Sequence, residues 1–133
     1  MKEIKQVLLI DDDNIVNYLN QIIMSDLNIT KNPLMASNGE EGIKIMEDSI
    51  KKNDGIGPEL IILDINMPVL DGFGFLEAYK QMEFKNKEEV KIIMLSTSVN
   101  ESDLEKAKKS VVTQFINKPL TKKLLTEIIN NHF

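Results

Sequence analysis

Three consecutive aspartates, Asp11-Asp12-Asp13, follow directly on the apolar run Val7-Leu8-Leu9-Ile10. A further aspartate, Asp64, closes the run Leu60-Ile61-Ile62-Leu63. Ser96 ends Ile92-Ile93-Met94-Leu95, and Lys118-Pro119 follows Thr113-Gln114-Phe115-Ile116-Asn117. If these runs are neighbouring parallel strands, carboxylates, a hydroxyl and an ammonium group converge at their carboxyl ends. Two carboxylates about 4 Å apart repel by about 4 kcal/mol at an effective dielectric near 20, so the cluster calls for a cation. A hard divalent ion suits an all-oxygen site, and Mg²⁺ takes one or two carboxylates while leaving positions for water or phosphate oxygens. An aspartate neutralised in this way can attack a phosphoryl donor and hold the product as an acyl phosphate. Lys118 can then neutralise the equatorial oxygens, and the Ser96 hydroxyl can donate to one of them.

Each residue has a plainer reading on its own. Asp13 fits a helix N-cap, Asp64 with Pro68 and Asp71-Gly72 fits a turn, a lysine before proline fits a solvated loop, and Ser96 alone signals nothing. Their joint position at strand ends is what argues for chemistry.

The elements that must position them alternate along the chain. After the first run, Ile15, Val16, Leu19, Ile22, Ile23 and Leu27 recur at three- and four-residue spacing, which predicts one buried helix face. A weaker strand lies around Leu34-Met35-Ala36. Asn38-Gly39-Glu40-Glu41 reads as a capping box opening a helix through Ile43, Met46 and Ile50. Asp71 caps a helix carrying Phe75, Leu76, Tyr79 and Met82. After Asn100, acids come first (Glu101, Asp103, Glu105) and lysines last (Lys106, Lys108, Lys109), matching the helix dipole. A last helix runs from about Thr121 through Leu124, Leu125, Ile128, Ile129 and Phe133. Five strands and five helices imply an α/β fold, a doubly wound parallel sheet covered on both faces. The first, third and fourth strands are solidly apolar and therefore central. Pro33 and the half-apolar run 113–117 mark the second and fifth as edges. The flavodoxin-like order 2-1-3-4-5 satisfies all of this.

The 133 residues fit one domain, 1–133, with no linker to a second. No run of about 18 apolar residues spans a membrane. Met1-Lys2-Glu3-Ile4-Lys5 lacks an apolar leader core, and cysteine is absent, so a cytoplasmic address is expected. Sixteen basic against twenty-one acidic residues, net −5, argue against nucleic acid as a partner.

The stretches Leu8 to Asp13, Leu63-Asp64-Ile65-Asn66-Met67-Pro68-Val69-Leu70-Asp71-Gly72, Met94-Leu95-Ser96 and Phe115-Ile116-Asn117-Lys118-Pro119 resemble the motifs of the response-regulator receiver family of two-component signalling. The resemblance covers essentially the whole chain and suggests a stand-alone, chemotaxis-type receiver. It implies Asp64 as phosphoacceptor, Asp11 and Asp12 as the acidic pair serving Mg²⁺, and the Asn66 backbone carbonyl in the metal shell. It further implies Ser96 as the switching hydroxyl, Lys118 as the phosphate contact and Phe115 as the switch aromatic. The Lys118-Pro119 bond resembles one that is cis in the family. The implied partners are a histidine kinase or histidine phosphotransfer protein and a downstream protein target. The implied chemistry is the chain's own phosphorylation and slow self-dephosphorylation, with no external substrate turned over. The output surface would comprise the fourth helix, fifth strand and fifth helix, with Lys106, Lys109 and Lys122 exposed. Phe115 lacks a tyrosine hydroxyl, so switching there must work by packing. Thr97 is bulkier than the small residue usual after the hydroxyl, narrowing access to Asp64. Segments 51–58 and 83–89 exceed a minimal receiver and read as solvated loops.

Two rivals share parts of this pattern. A flavodoxin-type flavin carrier would need a Ser-, Thr- or Gly-rich phosphate cradle after the first strand, where three aspartates instead repel phosphate. An aspartate-nucleophile phosphatase of the haloacid dehalogenase type would need an acid two residues after the nucleophile, where Asn66 cannot titrate.

Overall fold

The computed structural model describes residues 3–98 and 100–133. Met1 and Lys2, which the leader argument touched, lie outside the described residues. Five strands, β1 (Val7–Ile10), β2 (Leu34–Ala36), β3 (Leu60–Asp64), β4 (Lys91–Ser96) and β5 (Gln114–Asn117), form one parallel sheet in the order β2-β1-β3-β4-β5. The helices are α1 (Asn14–Asp26), α2 (Gly39–Lys52), α3 (Gly72–Lys80), α4 (Glu101–Lys108) and α5 (Lys122–His132). The expected fold class is therefore the observed one.

The central strands are those with unbroken apolar runs. β1 and β3 are buried at every position, and β4 at all but Lys91. β2 and β5 keep only one buried residue each, as edge strands do. Alternation along the strands feeds two cores. Leu8, Ile10, Ile61, Leu63, Ile92 and Met94 meet Met46 of α2, Phe75 and Leu76 of α3 and Ala107 of α4. Val7, Leu9, Ile93 and Leu95 meet Met24 of α1 and Leu125, Ile128 and Ile129 of α5. Side-chain oxygens of Asp13, Asn38, Asp71, Asn100 and Thr121 accept from backbone N–H groups in the first turns of the five helices, so every helix begins at a side-chain cap.

Three expectations need correction. The buried residues of α1 are Asn17, Asn20 and Met24, while Ile15, Leu19 and Ile22 are exposed. The helix is turned by about one residue, roughly 100°, from the face its apolar spacing predicts. Asn17 explains the rotation, because its Nδ2 donates to the carbonyls of Asp11 and Ala36 (3.2 Å each) and laces the ends of β1 and β2 together. The segments 51–58 and 83–89 are not simply solvated loops. Lys51 and Lys52 complete α2, residues 87–89 form a 3-10 turn, and the remainder clasp each other. Asn86 exchanges hydrogen bonds with the backbone of Gly57 (2.8 and 3.0 Å), and Lys85 N–H donates to the Gly55 carbonyl. Lys87 Nζ donates to the carbonyls of Lys80 and Met82 at the end of α3. The fifth strand also starts one residue later than expected, at Gln114.

Candidate functional site

Parallel strands aligned in register deliver their terminal residues to one edge, and here that edge carries the acids. Asp11 and Asp64 are 3% and 5% exposed, while Asp12 is open to solvent. Carboxylate oxygens of Asp11, Asp12 and Asp64 all lie within 4.8 Å of one another. At that separation each ionised pair repels by about 3–4 kcal/mol at an effective dielectric near 20. Asp13 is not part of the group. It caps α1, its Oδ1 accepting from Ile15 N–H at 2.9 Å, so the plain reading of this residue is the right one.

Lys118 supplies the opposing charge from beyond β5. Its Nζ sits 2.7 Å from Asp11 Oδ2 and 3.3 Å from Asp64 Oδ1. Its backbone N–H donates to the Ser96 carbonyl (2.8 Å), which anchors the lysine to the end of β4. The peptide bond to Pro119 is cis. Each Asp11 carboxylate oxygen has one protein partner, since the other accepts from Asp13 N–H at 2.9 Å.

Burial, followed by the charge of Asp11, pushes the Asp64 carboxyl up to about 6, against the opposing pull of Lys118. Burial alone would lower the Lys118 ammonium, yet the hydrogen bond and charge of Asp11, with those of Asp64, outweigh it and raise the group. Lys118 is thus held as a cation beside a carboxylate whose ionisation is costly.

The donors left over suit a hard cation. All are oxygens, and among the described residues neither the Asp12 carboxylate nor the Asn66 carbonyl accepts a hydrogen bond. Asn66 itself is exposed on the loop after β3. That loop is tightly drawn. Gly72 N–H donates to the Ile65 carbonyl and Gly39 N–H to the Leu70 carbonyl, and a Cβ on Gly72 would lie 2.5 Å from the Asp64 carbonyl oxygen. Leu70 N–H closes a three-residue turn onto Pro68 around Val69, which is 75% exposed and has φ of 70°.

Ser96 is fully buried, and its hydroxyl donates to the Ser98 carbonyl at 2.7 Å. Phe115 is half-buried and packs on the core shared by α2, α3 and α4. Ser96 pairs with Asn117, and Met94 with Phe115, which places Ser96 and Phe115 on one face of neighbouring strands. Thr97 is exposed at the end of β4. Of the lysines expected on the output surface, Lys122 pairs with Asp26 of α1 (3.1 Å), and Lys106 lies over the Phe73 ring of α3.

Asn17 escaped the reading of the sequence. The signal was a polar series, Asn17 and Asn20, beside the apolar one in α1, but the apolar spacing dominated the phase. Only the carbonyls of Asp11 and Ala36 give Asn17 its purpose.

The family described as "Response regulator receiver domain" matches residues 7–130. The sensor histidine kinase CheAY of Helicobacter pylori is 33% identical over 124 residues, which is 92% of this chain but only 14% of that protein's length. The chemotaxis protein CheY of Halobacterium salinarum is 28% identical, with 96% of this chain and 95% of that protein aligned. The crystal structure of a two component response regulator from Cytophaga hutchinsonii superposes with a TM-score of 0.86 at 32% identity, covering 98% of this chain and 97% of the other.

Proposed function

Because the chain belongs to the response regulator receiver domain family, we propose that Asp64 is its phosphoacceptor, serving two-component signalling as a single unit over residues 1–133. The observation that carries this assignment is the position of Lys118, within 2.7 Å of Asp11 and 3.3 Å of Asp64, with Asp12 open at the mouth. Asp12, Asp64 and the Asn66 carbonyl would hold Mg²⁺ directly, with the buried Asp11, held by Lys118 and Asp13 N–H, supporting the ion from behind or through water. When bound, Mg²⁺ neutralises phosphoryl oxygens and aligns the donor.

An Asp64 oxygen forms the new P–O bond as the P–N bond of a phosphohistidine breaks, and the histidine leaves after accepting a proton. Lys118 keeps its proton and pairs with a phosphoryl oxygen, exchanging one carboxylate partner for another anion. The Ser96 hydroxyl turns from the Ser98 carbonyl toward the phosphoryl group, and Phe115 moves into the space on the same face. That coupling biases a two-state surface built from α4, β5 and α5. The chain catalyses only its own phosphorylation and slow dephosphorylation.

No helix among the described residues is long and apolar enough to cross a membrane, and a cytoplasmic address fits this role. The donor is a histidine kinase or histidine phosphotransfer protein. Its docking site is the exposed face of α1, where Ile15, Tyr18, Leu19 and Ile22 form an apolar stripe at helical spacing that starts beside Asp13. No feature favours haloacid dehalogenase chemistry, since Asn66 has no proton to give.

Incubation with labelled acetyl phosphate and Mg²⁺ tests the assignment. The wild type should take up one hydroxylamine-sensitive phosphoryl group, and folded Asp64→Asn should take up none. Equal labelling of the two proteins would overturn the reading.

A further inference from the structure

A groove of about 590 Å³ runs between α3 and the end of α4, away from the acidic site. Phe73, the almost fully buried Leu76 and Val111, 51% exposed, give it apolar walls. Lys80, Lys106 and Lys109 stand on its rim, with Glu77 the one acid among its lining residues. None of the three lysines has a carboxylate within ion-pairing distance among the described residues. The Lys106 ammonium lies 5.2 Å from the centroid of the Phe73 ring, so its stem and that ring form one shelf.

The arrangement runs against the charge of the whole chain, which is −5. Lysines at the ends of α3 and α4 favour the helix dipoles wherever they point, Lys80 included, but that does not account for the apolar slot that Lys80, Lys106 and Lys109 surround between the two helices. Three unpaired cations around an apolar depression complement an apolar side chain flanked by carboxylates. We propose that this groove docks an acidic segment of a partner protein, seating one leucine or aromatic side chain between Phe73 and Val111 while its carboxylates reach Lys80, Lys106 and Lys109. The concavity suits a side chain rather than a flat anionic bilayer. The groove contains none of the phosphorylation-site residues, but Lys106 and Lys109 belong to α4, part of the surface proposed to switch, so the test is set on the unmodified protein.

The test selects a phage-displayed library of random dodecapeptides on the unphosphorylated full chain, with Lys106→Glu/Lys109→Glu as the comparison. Both positions are exposed, and thermal melts verify that the double variant folds. Enriched peptides should carry several Asp or Glu around a leucine or aromatic residue. As synthetic peptides they should shift amide resonances of residues 73–80 and 106–111. They should bind the double variant about tenfold more weakly, and lose a similar factor when salt shortens the Debye length from about 10 Å to about 3 Å. Asp64→Asn should bind them as the wild type does, which separates this outcome from the phosphoacceptor assignment. Failure to enrich any peptide, enrichment without acidic residues, equal affinity for the double variant, or capture by phosphatidylserine vesicles instead would each overturn the proposal.

Discussion

Replacing Asp64 with Asn should make the metal-free protein more stable, and the amount follows from the site. Burial and the Asp11 charge raise the Asp64 carboxyl from 3.8 to about 6, which at about 1.4 kcal/mol per pKa unit corresponds to about 3 kcal/mol of penalty when it is ionised. The folded state holds this proton more tightly than the unfolded chain does. The group therefore favours folding most below pH 3.8, and that contribution is lost as pH rises through about 6. Asn resembles the protonated form. Lys118 loses one partner on substitution but keeps Asp11 at 2.7 Å. At pH 8 in EDTA, Asp64→Asn should gain about 2–3 kcal/mol in urea unfolding, or about 6–10 °C in melting temperature. At pH 4.5 the advantage should shrink to about 1 kcal/mol. Saturating Mg²⁺ should narrow the pH 8 gap by stabilising the wild type, by about 3 kcal/mol at a hundredfold excess over Kd. A variant no more stable than wild type at pH 8 in EDTA would show that Asp64 is not the strained charge of the site.

The metal assignment predicts that Asp12→Ala lowers Mg²⁺ affinity at least about tenfold in calorimetric titration, about 1.4 kcal/mol, and Asp11→Ala less. Unchanged affinity in both would refute it. Gly72→Ala should destabilise the chain by about 1–3 kcal/mol in urea titration, because its Cβ would press on the Asp64 carbonyl oxygen at 2.5 Å. Wild-type stability would mean that the loop after β3 yields more readily than its contacts imply. Ser96→Ala and Phe115→Ala should each blunt the beryllofluoride-induced amide shifts on α4. Shifts identical to wild type in both variants would mean that output bypasses this pair.

What was legible in the sequence is what neighbours along the chain decide. Apolar runs of four residues mark β1, β3 and β4 as central, because a strand buried on both faces must be apolar on both. Asp13, Asn38, Asp71, Asn100 and Thr121 mark helix starts, because a cap acts within three residues. The strand-end positions of Asp11, Asp12, Asp64, Ser96 and Lys118 were likewise readable, since parallel strands bring their carboxyl ends to one edge. Tertiary structure alone decided how these groups engage. The Lys118–Asp11 contact spans 107 residues, and only strand register and the chain path after β5 set its distance. The phase of α1 was decided in the same way, by the carbonyl of Asp11 and by that of Ala36, which accepts from Asp11 N–H and takes a second bond from Asn17; these drew Asn17 inward and left Ile15, Leu19 and Ile22 outside. Apolar spacing reports which residues gain by leaving water. It does not report which polar backbone groups elsewhere in the fold demand a partner, and in α1 that demand prevailed.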